Sequence, residues 1–216
     1  MDLRIGLCGA QGTGKTTLSR LLAGELDLPL IEEQARVVVR ELGIERPGNI
    51  RNNPRMGMRF QVLCLQKQIA AEEELAGGFV SDRTVMDSAI YWMKWHSHRV
   101  DSRRNMEIYD KIQKHLDRRG YDLILYLPVE IPLKNDEFRS TNPYYQREVD
   151  LLTRCFLGLV NRDRCRVAAL SGTVKERLKT AVSLAKSLWR EKTVKTPREM
   201  PRPGQVPRSE GRAFLS

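Results

Sequence analysis

The segment Gly9–Thr16 reads Gly-Ala-Gln-Gly-Thr-Gly-Lys-Thr and matches the pattern G-x-x-x-x-G-K-[ST] at every fixed position. It lies between a short apolar run and a stretch with leucines at helical spacing, so it is predicted to join a strand to a helix. Glycines at these positions let backbone N–H groups curve around phosphates, and the start of the helix adds a positive dipole end. Lys15 is expected to reach the β- and γ-phosphates, and the Thr16 hydroxyl to bind Mg²⁺. The residues predicted to contact a nucleoside triphosphate are Gly9, Ala10, Gln11, Gly12, Thr13, Gly14, Lys15, Thr16 and Thr17.

Short apolar runs alternate with helical patterns along most of the chain. The predicted strands span 3–8, 29–32, 79–81, 121–127 and 166–170. The predicted helices span 16–26, 34–42, 58–76, 85–96, 102–119, 143–159 and 173–189. With the phosphate loop after the first strand, this alternation predicts a three-layer α/β fold of the P-loop NTPase type with a mostly parallel central sheet.

Two segments stand apart from this alternation. The stretch 43–57 holds two prolines and three arginines (Arg46, Arg51 and Arg55), and it is predicted to be a long loop. From residue 191 onward, four of the ten prolines fall within 26 residues that hold few apolar groups. The sequence therefore predicts one domain over residues 1–190 and a disordered, basic, proline-rich tail over 191–216.

The formal net charge is +10, from 37 Lys and Arg against 27 Asp and Glu. Such an excess favours anionic partners, namely nucleotides, phosphorylated metabolites or nucleic acid, although solubility alone is the simpler explanation for part of it.

The longest apolar runs are of the order of Leu123–Val129, too short to span a membrane, and Met1–Cys8 is not typical of a targeting signal. The four cysteines lack metal-type spacing, which favours reduced thiols in a soluble, intracellular protein of the cytoplasm.

Charged side chains follow two of the predicted strands. Glu32 and Glu33 end the second strand, and Asp82 and Arg83 end the third. Ligands of open α/β sheets bind at the carboxyl ends of the strands, so either carboxylate is expected near the phosphate loop, where it could hold Mg²⁺ or accept a hydroxyl proton. Glu33 and Arg36 lie three residues apart and share one helix face, although an ordinary surface ion pair would have the same spacing. Asp82 could instead cap the following helix.

Five segments, taken together and in their order along the chain, form a recognisable series: 9–17, 31–36 (IEEQAR), 79–92 (FVSDRTVMDSAIYW), 121–128 (YDLILYLP) and 136–150 (DEFRSTNPYYQREVD). This series resembles the P-loop kinases allied to ribosylnicotinamide kinase and the AAA-type domains grouped with them. More distantly, it resembles the deoxynucleoside and thymidylate kinases. The resemblance covers roughly residues 3–190 and implies a nucleoside/nucleotide kinase-like domain with an arginine-bearing lid.

The resemblance also implies roles for individual residues. In that family the carboxylate after the second strand commonly faces the acceptor, so Glu33 is expected to serve as base or substrate anchor, with Arg36 beside it. Asp82 would lie near Mg²⁺, and Arg83 near the substrate or the transferring phosphoryl group. Arg139, in the lid-like segment, would close over the triphosphate and neutralise developing charge; Arg147 either does the same or belongs to a solvated basic face. ATP as the donor is implied in the same way.

The predicted reaction is Mg²⁺-dependent transfer of the γ-phosphoryl group of ATP to a hydroxyl or phosphate of a nucleoside, nucleotide or related small molecule. The basic loop and tail leave a second interpretation open. In it, a phage-type kinase contacts DNA through these segments and phosphorylates a hydroxymethylated base such as 5-hydroxymethyluracil within it. A nucleic-acid-binding ATPase is a third interpretation, although the sequence shows no added domain for hydrolysis to drive. The catalytic candidates are Lys15, Glu33, Asp82, Arg83 and Arg139; the substrate-binding candidates are Glu33, Arg36 and Arg83; the metal-binding candidates are Thr16 and Asp82.

Overall fold

The computed structural model describes residues 2–44, 50, 53–131 and 142–195. At its centre is a five-stranded sheet in which every pair of neighbouring strands is parallel. The strands are β1 (Arg4–Cys8), β2 (Leu30–Ile31), β3 (Phe79–Ser81), β4 (Leu123–Tyr126) and β5 (Arg166–Ala169), in the spatial order β2-β3-β1-β4-β5. The helices are α1 (Lys15–Leu26), α2 (Gln34–Glu41), α3 (Pro54–Glu74), α4 (Val85–Trp95), α5 (Ser102–Arg119), α6 (Pro143–Gly158) and α7 (Val174–Lys195).

The central strands divide the core into two halves, because successive side chains of a strand point to opposite sides of the sheet. Ile5 and Leu7 of β1 are buried in a cluster with residues of α1 and α7. Cys8 of β1 and Ile124 of β4 are buried in a second cluster with residues of α4 and α5. Helices therefore cover both faces of the sheet, which confirms the predicted three-layer α/β fold.

The position of β1 in the middle of the sheet determines where the phosphate loop lies. β1 pairs with β3 on one side, with Gly6 opposite Ser81, and with β4 on the other, with Cys8 opposite Tyr126. The loop after β1 and the residues after β3 therefore leave the sheet at the same edge, side by side. This is the edge at which open parallel sheets bind ligands.

Two element boundaries differ from the sequence prediction by more than two residues. α3 begins at Pro54, inside the stretch predicted to be loop, because Asn53 caps it by accepting a hydrogen bond from the Met56 N–H (3.1 Å) and proline is well suited to the first helical turn. α7 continues to Lys195, so the predicted disordered tail is wrong for residues 191–195. Glu191 pairs with Arg166 (3.0 Å) and Lys192 with Asp122 (2.8 Å), which ties this last turn to the domain. The rest of the predicted tail, residues 196–216, lies outside the described residues.

No helix among the described residues combines the length and apolar character needed to cross a bilayer.

Candidate active site

The phosphate loop takes a shape that requires glycine at two of its positions. Gly9 has a φ of 137°, and a Cβ atom there would lie 2.4 Å from the carbonyl oxygen of Leu127. Gly14, at the N-terminal end of α1, has a φ of 92°. Side chains are strongly disfavoured at both positions, so these glycines follow from the curvature of the loop. The Thr13 hydroxyl closes the curve by donating to the Ala10 carbonyl (2.9 Å).

Lys15 lies against the inside of this loop. Its Nζ donates to the carbonyl oxygens of Gly9 (2.8 Å) and Ala10 (2.6 Å), and the side chain is buried. Burial and the nearby charge of Arg83 lower the pKa of Lys15 to about 8, against the opposing effect of Asp87 and other carboxylates. The ammonium group is thus held by neutral carbonyl oxygens at a place where phosphate oxygens would stabilise its charge better.

Thr16 and Asp82 meet across the edge of the sheet. The Thr16 hydroxyl donates to Oδ2 of Asp82 at 2.6 Å, and Asp82 is buried directly after β3. A hydroxyl and one carboxylate beside a phosphate loop fit Mg²⁺, which usually takes one or two carboxylates together with phosphate oxygens and water. Among the residues that the structure describes, no group of three or more His, Cys, Asp or Glu side chains could hold a metal by itself. The donor set therefore suits a metal that arrives with a nucleotide.

Arg83, the residue after Asp82, lies at the centre of a buried cluster of ion pairs. Arg83 donates from Nε to Oε1 of Glu33 (2.7 Å) and from a terminal nitrogen to Oδ1 of Asp87 (2.8 Å). Arg36 donates to the other oxygen of Glu33 (3.2 Å), as the three-residue spacing predicted. Burial opposes the guanidinium charge, but Glu33, Tyr91 and Asp87 outweigh it, and the pKa of Arg83 is raised above its usual value. The backbone of Arg83 has a φ of 139°, a strained conformation for a residue with a side chain.

A cavity of about 220 Å³ opens between this cluster and α3, α4 and α6. Its polar end is formed by Gln11, Glu33, Arg83 and Asp87, next to the phosphate loop. Its apolar wall includes Val39, Ile50, Phe60, Cys64, Tyr91 and Trp95. A small molecule in this cavity would lie with one end beside the position predicted for the terminal phosphate of a nucleotide.

The structure brings most of the predicted site residues together, and leaves some apart. The phosphate loop, Glu33, Arg36, Asp82 and Arg83 converge at one edge of the sheet. Thr17 is exposed in the first turn of α1, while Arg55 in the first turn of α3 and Arg147 in α6 are also exposed. Arg46, Arg51 and Arg139, and with them the central part of the predicted lid, lie outside the described residues. The capping role considered for Asp82 belongs instead to Thr84, which forms a capping box with Asp87.

Sequence reasoning missed several residues that hold the site. Asp87 could have been found, since Thr84-x-x-Asp87 before an apolar run is the capping-box pattern. Arg177 of α7, only 2% exposed, donates to the carbonyl oxygen of Thr13 (2.7 Å) and pairs with Glu130 (2.9 Å). No local pattern points to Arg177, because its partners are 164 and 47 residues away.

A protein-family model described as "AAA domain" matches residues 4–177. No curated protein matches the chain. Among solved structures, it is similar to NadR protein in complex with NR (TM-score 0.63, 18% identity, 87% of this chain and 50% of that chain). It is also similar to deoxyadenosine kinase from M. mycoides with bound dCTP (TM-score 0.57, 16% identity, 88% of this chain and 100% of that chain). The chain thus spans about half the length of the NadR chain, and at these identities the likeness shows a shared fold.

Proposed function

Because the chain belongs to the AAA-domain family of P-loop NTPases, we propose that it is an ATP- and Mg²⁺-dependent kinase that phosphorylates a nucleoside, nucleotide or related small molecule. The observation that carries this proposal is the position of the cavity. It shares Gln11, Glu33 and Arg83 with the edge of the sheet at which the phosphate loop lies, so that donor and acceptor would meet there. The kinase-like fold of the similar structures agrees with this arrangement.

The residues of this chain have distinct tasks in the proposed reaction. Backbone N–H groups of the loop and the ammonium of Lys15 bind the phosphates, and Thr16 and Asp82 hold the Mg²⁺ that comes with them. Mg²⁺ held by these two residues would supply charge neutralisation for the phosphates. Positioning and charge stabilisation supply most of the catalysis in phosphoryl transfer, which suits a site built from cations and fixed dipoles.

Glu33 is the proposed base. Its carboxylate accepts the proton of the acceptor hydroxyl as the hydroxyl oxygen attacks the γ-phosphorus and the bond to the β–γ bridging oxygen breaks, which releases ADP. Arg83 holds Glu33 in place and is proposed to contribute charge to the transferring group. Arg36 supports the second oxygen of Glu33. Arg139 is proposed to neutralise charge from the lid.

The DNA-directed alternative draws on the excess of basic residues. A base within DNA would have to leave the duplex to enter a cavity of this size, while a free small molecule enters it without that cost. Three arginines of the stretch 43–57 motivated the alternative. Of these, only Arg55 lies among the described residues, and it is exposed at the start of α3. We therefore place the small-molecule kinase first and keep the DNA kinase as the competing outcome of one experiment.

That experiment measures transfer of label from γ-labelled ATP with Mg²⁺ into two pools. One pool holds nucleosides, nucleotides and nicotinamide riboside, and the other holds DNA with normal and hydroxymethylated bases. Label in a small molecule supports the proposal, and label in DNA replaces it with the alternative. Release of phosphate without either acceptor would indicate an ATPase. Lys15→Ala is the control, since activity from this site requires its charge.

A further inference from the structure

The backbone of Arg83 is strained, and the structure holds it from both sides. Its φ of 139° lies in a region that residues with side chains rarely adopt. Such a conformation persists only where the surrounding structure fixes it. The bonds made by the flanking residues, Ser81 before it and Val85 after it, therefore help to determine whether Arg83 keeps this conformation.

Tyr121 holds the segment that follows Arg83. Val85 is the first residue of α4, so its backbone N–H has no acceptor within the helix. The Tyr121 hydroxyl accepts a hydrogen bond from this N–H (2.8 Å) and donates its own proton to Oε1 of Glu72 (2.5 Å). Because the hydroxyl both accepts and donates, the position of Val85 is tied to that of the Glu72 carboxylate.

Gln68 holds the segment that precedes Arg83 in a similar way. Its Nε2 atom donates to the Ser81 hydroxyl oxygen (2.8 Å) and to Oε1 of Glu72 (2.7 Å). Gln68, Glu72 and Ser81 are all buried, so water competes little for these bonds. Oε1 of Glu72 thus accepts from two arms, one that reaches Ser81 through Gln68 and one that reaches the start of α4 through Tyr121.

The other oxygen of Glu72 has partners as well. Oε2 bonds with Nε2 of His115 on α5 (2.7 Å) and lies 3.8 Å from a terminal nitrogen of Arg4 on β1. The carboxylate therefore cannot turn away from its two arms without also losing these contacts in the core.

The ring of Tyr121 is fixed by close packing on the sheet. It meets the Phe79 ring edge-on, with the centroids 6.3 Å apart. At Gly6 of β1, a Cβ atom would lie 2.6 Å from Cγ2 of Thr84 and 3.1 Å from the Tyr121 ring. Glycine at this position thus lets Thr84 and Tyr121 pack directly on the backbone of β1, and the Tyr121 hydroxyl has little freedom to move away from α4.

We propose that Glu72 is a positioning residue for the phosphoryl transfer. Through its two arms, Gln68 and Tyr121, it fixes both flanks of Arg83 and thereby places the guanidinium beside the transferring group. This inference rests on the proposed kinase function and adds a buried support to its site. Because a charge stabilises a transition state only when it is precisely placed, loss of either arm should lower kcat. The phosphate loop binds the nucleotide, and among the described residues neither arm bonds to that loop, so the KM for ATP should change little.

The test removes each arm with a substitution that keeps the shape of the side chain. Tyr121→Phe removes the hydroxyl that holds the start of α4, and Ser81→Ala removes the hydroxyl that Gln68 holds. Transfer of label from γ-labelled ATP is measured to an acceptor that wild type phosphorylates, well below the Tm of every variant. In each variant kcat should fall by about tenfold or more, while the KM for ATP stays within about twofold of wild type.

Tyr126→Phe is the matched control for stability. The Tyr126 hydroxyl is also buried, and it donates to a carboxylate oxygen of Asp150 at 2.6 Å. Its removal should lower the Tm, as the removal of the Tyr121 hydroxyl should. Its kcat should nevertheless stay within about twofold of wild type, since in the part of the chain that the structure describes this pair makes no bond to residues 81–85.

A double-mutant cycle separates the positioning of Arg83 from a general loosening of the site. Arg83→Lys keeps a positive charge but lacks the guanidinium fork that bonds Glu33 and Asp87 together. In this background Tyr121→Phe should change kcat by less than about twofold, although it should lower the Tm as much as it does alone.

Several results would overturn the inference while the kinase function stands. A wild-type kcat in Tyr121→Phe or in Ser81→Ala would do so. An equal fall in kcat for Tyr126→Phe, or the same loss from Tyr121→Phe with and without Arg83→Lys, would trace the effect to stability alone. No transfer by wild type to any acceptor would overturn the proposed function, and the inference with it. If Tyr121→Phe does not fold, Ser81→Ala takes its place in the cycle with the same expected outcomes.

Discussion

The hydroxyl of Thr16 and the carboxylate of Asp82 lie 2.6 Å apart although 66 residues separate them in the chain. They meet because β1 and β3 are neighbouring parallel strands, so the phosphate loop and the residues after β3 leave the sheet together. One bond thus joins the nucleotide side of the site to the segment that also carries Arg83. Most of the chemistry that we propose depends on this junction.

Asp82→Asn should lower turnover strongly and leave Mg²⁺-free nucleotide binding nearly unchanged. The amide keeps the size of the side chain and an oxygen that can accept from Thr16, but it loses the negative charge that favours Mg²⁺. We expect kcat to fall by about 100-fold or more, and the affinity for ADP in EDTA to stay within about twofold. Steady-state rates and calorimetry measure the two effects. Asp110→Asn on the exposed face of α5 is the control, and a wild-type rate for Asp82→Asn would remove Asp82 from the metal site.

Nucleotide affinity should depend on pH through Lys15. The pKa of Lys15 is about 8 in the free protein, and bound phosphates favour the charged form, so its pKa is higher in the complex. Below pH 8 the lysine is already charged and affinity should be constant. Above pH 8 each binding event must take up a proton, so affinity should fall by up to about tenfold per pH unit. Calorimetry with ADP at pH 7, 8 and 9, in two buffers of different ionisation enthalpy, measures both the affinity and the proton uptake. Lys15→Met should abolish the uptake, and uptake that persists in this variant would assign the effect to another group.

Glu33→Gln should impair use of the acceptor more than use of ATP. The amide cannot take up the acceptor proton, and it also weakens the bond to Arg83, which keeps Asp87 as its partner. We expect kcat to fall by about 100-fold or more and the KM for ATP to change by less than about twofold. Glu41→Gln on the exposed end of α2 is the matched control. If the use of ATP and the use of the acceptor were reduced equally, or if neither were reduced, the proposed role of Glu33 at the acceptor would be contradicted.

Arg177→Met should remove a hydrogen bond through which α7 holds the phosphate loop. Arg177 is buried, and it connects the Thr13 carbonyl to Glu130, whose carboxylate also accepts from the Gly172 N–H (3.0 Å). Methionine fills much of the space but leaves the Thr13 carbonyl without this donor. We expect nucleotide affinity to fall by about tenfold, corresponding to the loss of one hydrogen bond to a charged group. Arg190→Met, on the exposed side of α7, should have no effect. An unchanged affinity for ADP in Arg177→Met would limit this residue to packing.

Glu72→Ala should destabilise the protein far more than Glu73→Ala next to it. Glu72 is fully buried in α3, where it accepts from Gln68, from the Tyr121 hydroxyl and from His115. Its removal would leave these buried groups unpaired, at a cost of about 3–5 kcal/mol. Glu73 is partly exposed and pairs with the exposed Arg118, so its removal should cost less than about 1 kcal/mol. Urea unfolding measures both free energies, and similar values for the two variants would show that the Glu72 cluster contributes little.

Much of the fold could be predicted because its signals are local. Leucine spacing predicted α1 to within one residue of its start, and the apolar run 79–81 predicted β3 with the same bounds. The Glu33–Arg36 pair also followed from spacing alone, since residues three apart share a helix face. The end of α7 was missed because prolines beyond it dominated the composition of the window, while the contacts that hold its last turn come from Asp122 and Arg166.

The sequence by itself determined the phosphate loop and the order of strands and helices, because both depend on residues that are close in the chain. The tertiary structure decided which distant side chains meet there. Arg83 has two carboxylate partners, and Arg177 supports the loop from the last helix. No local pattern encodes such contacts, since they arise only when the parallel sheet brings the ends of β1, β2 and β3 to one edge.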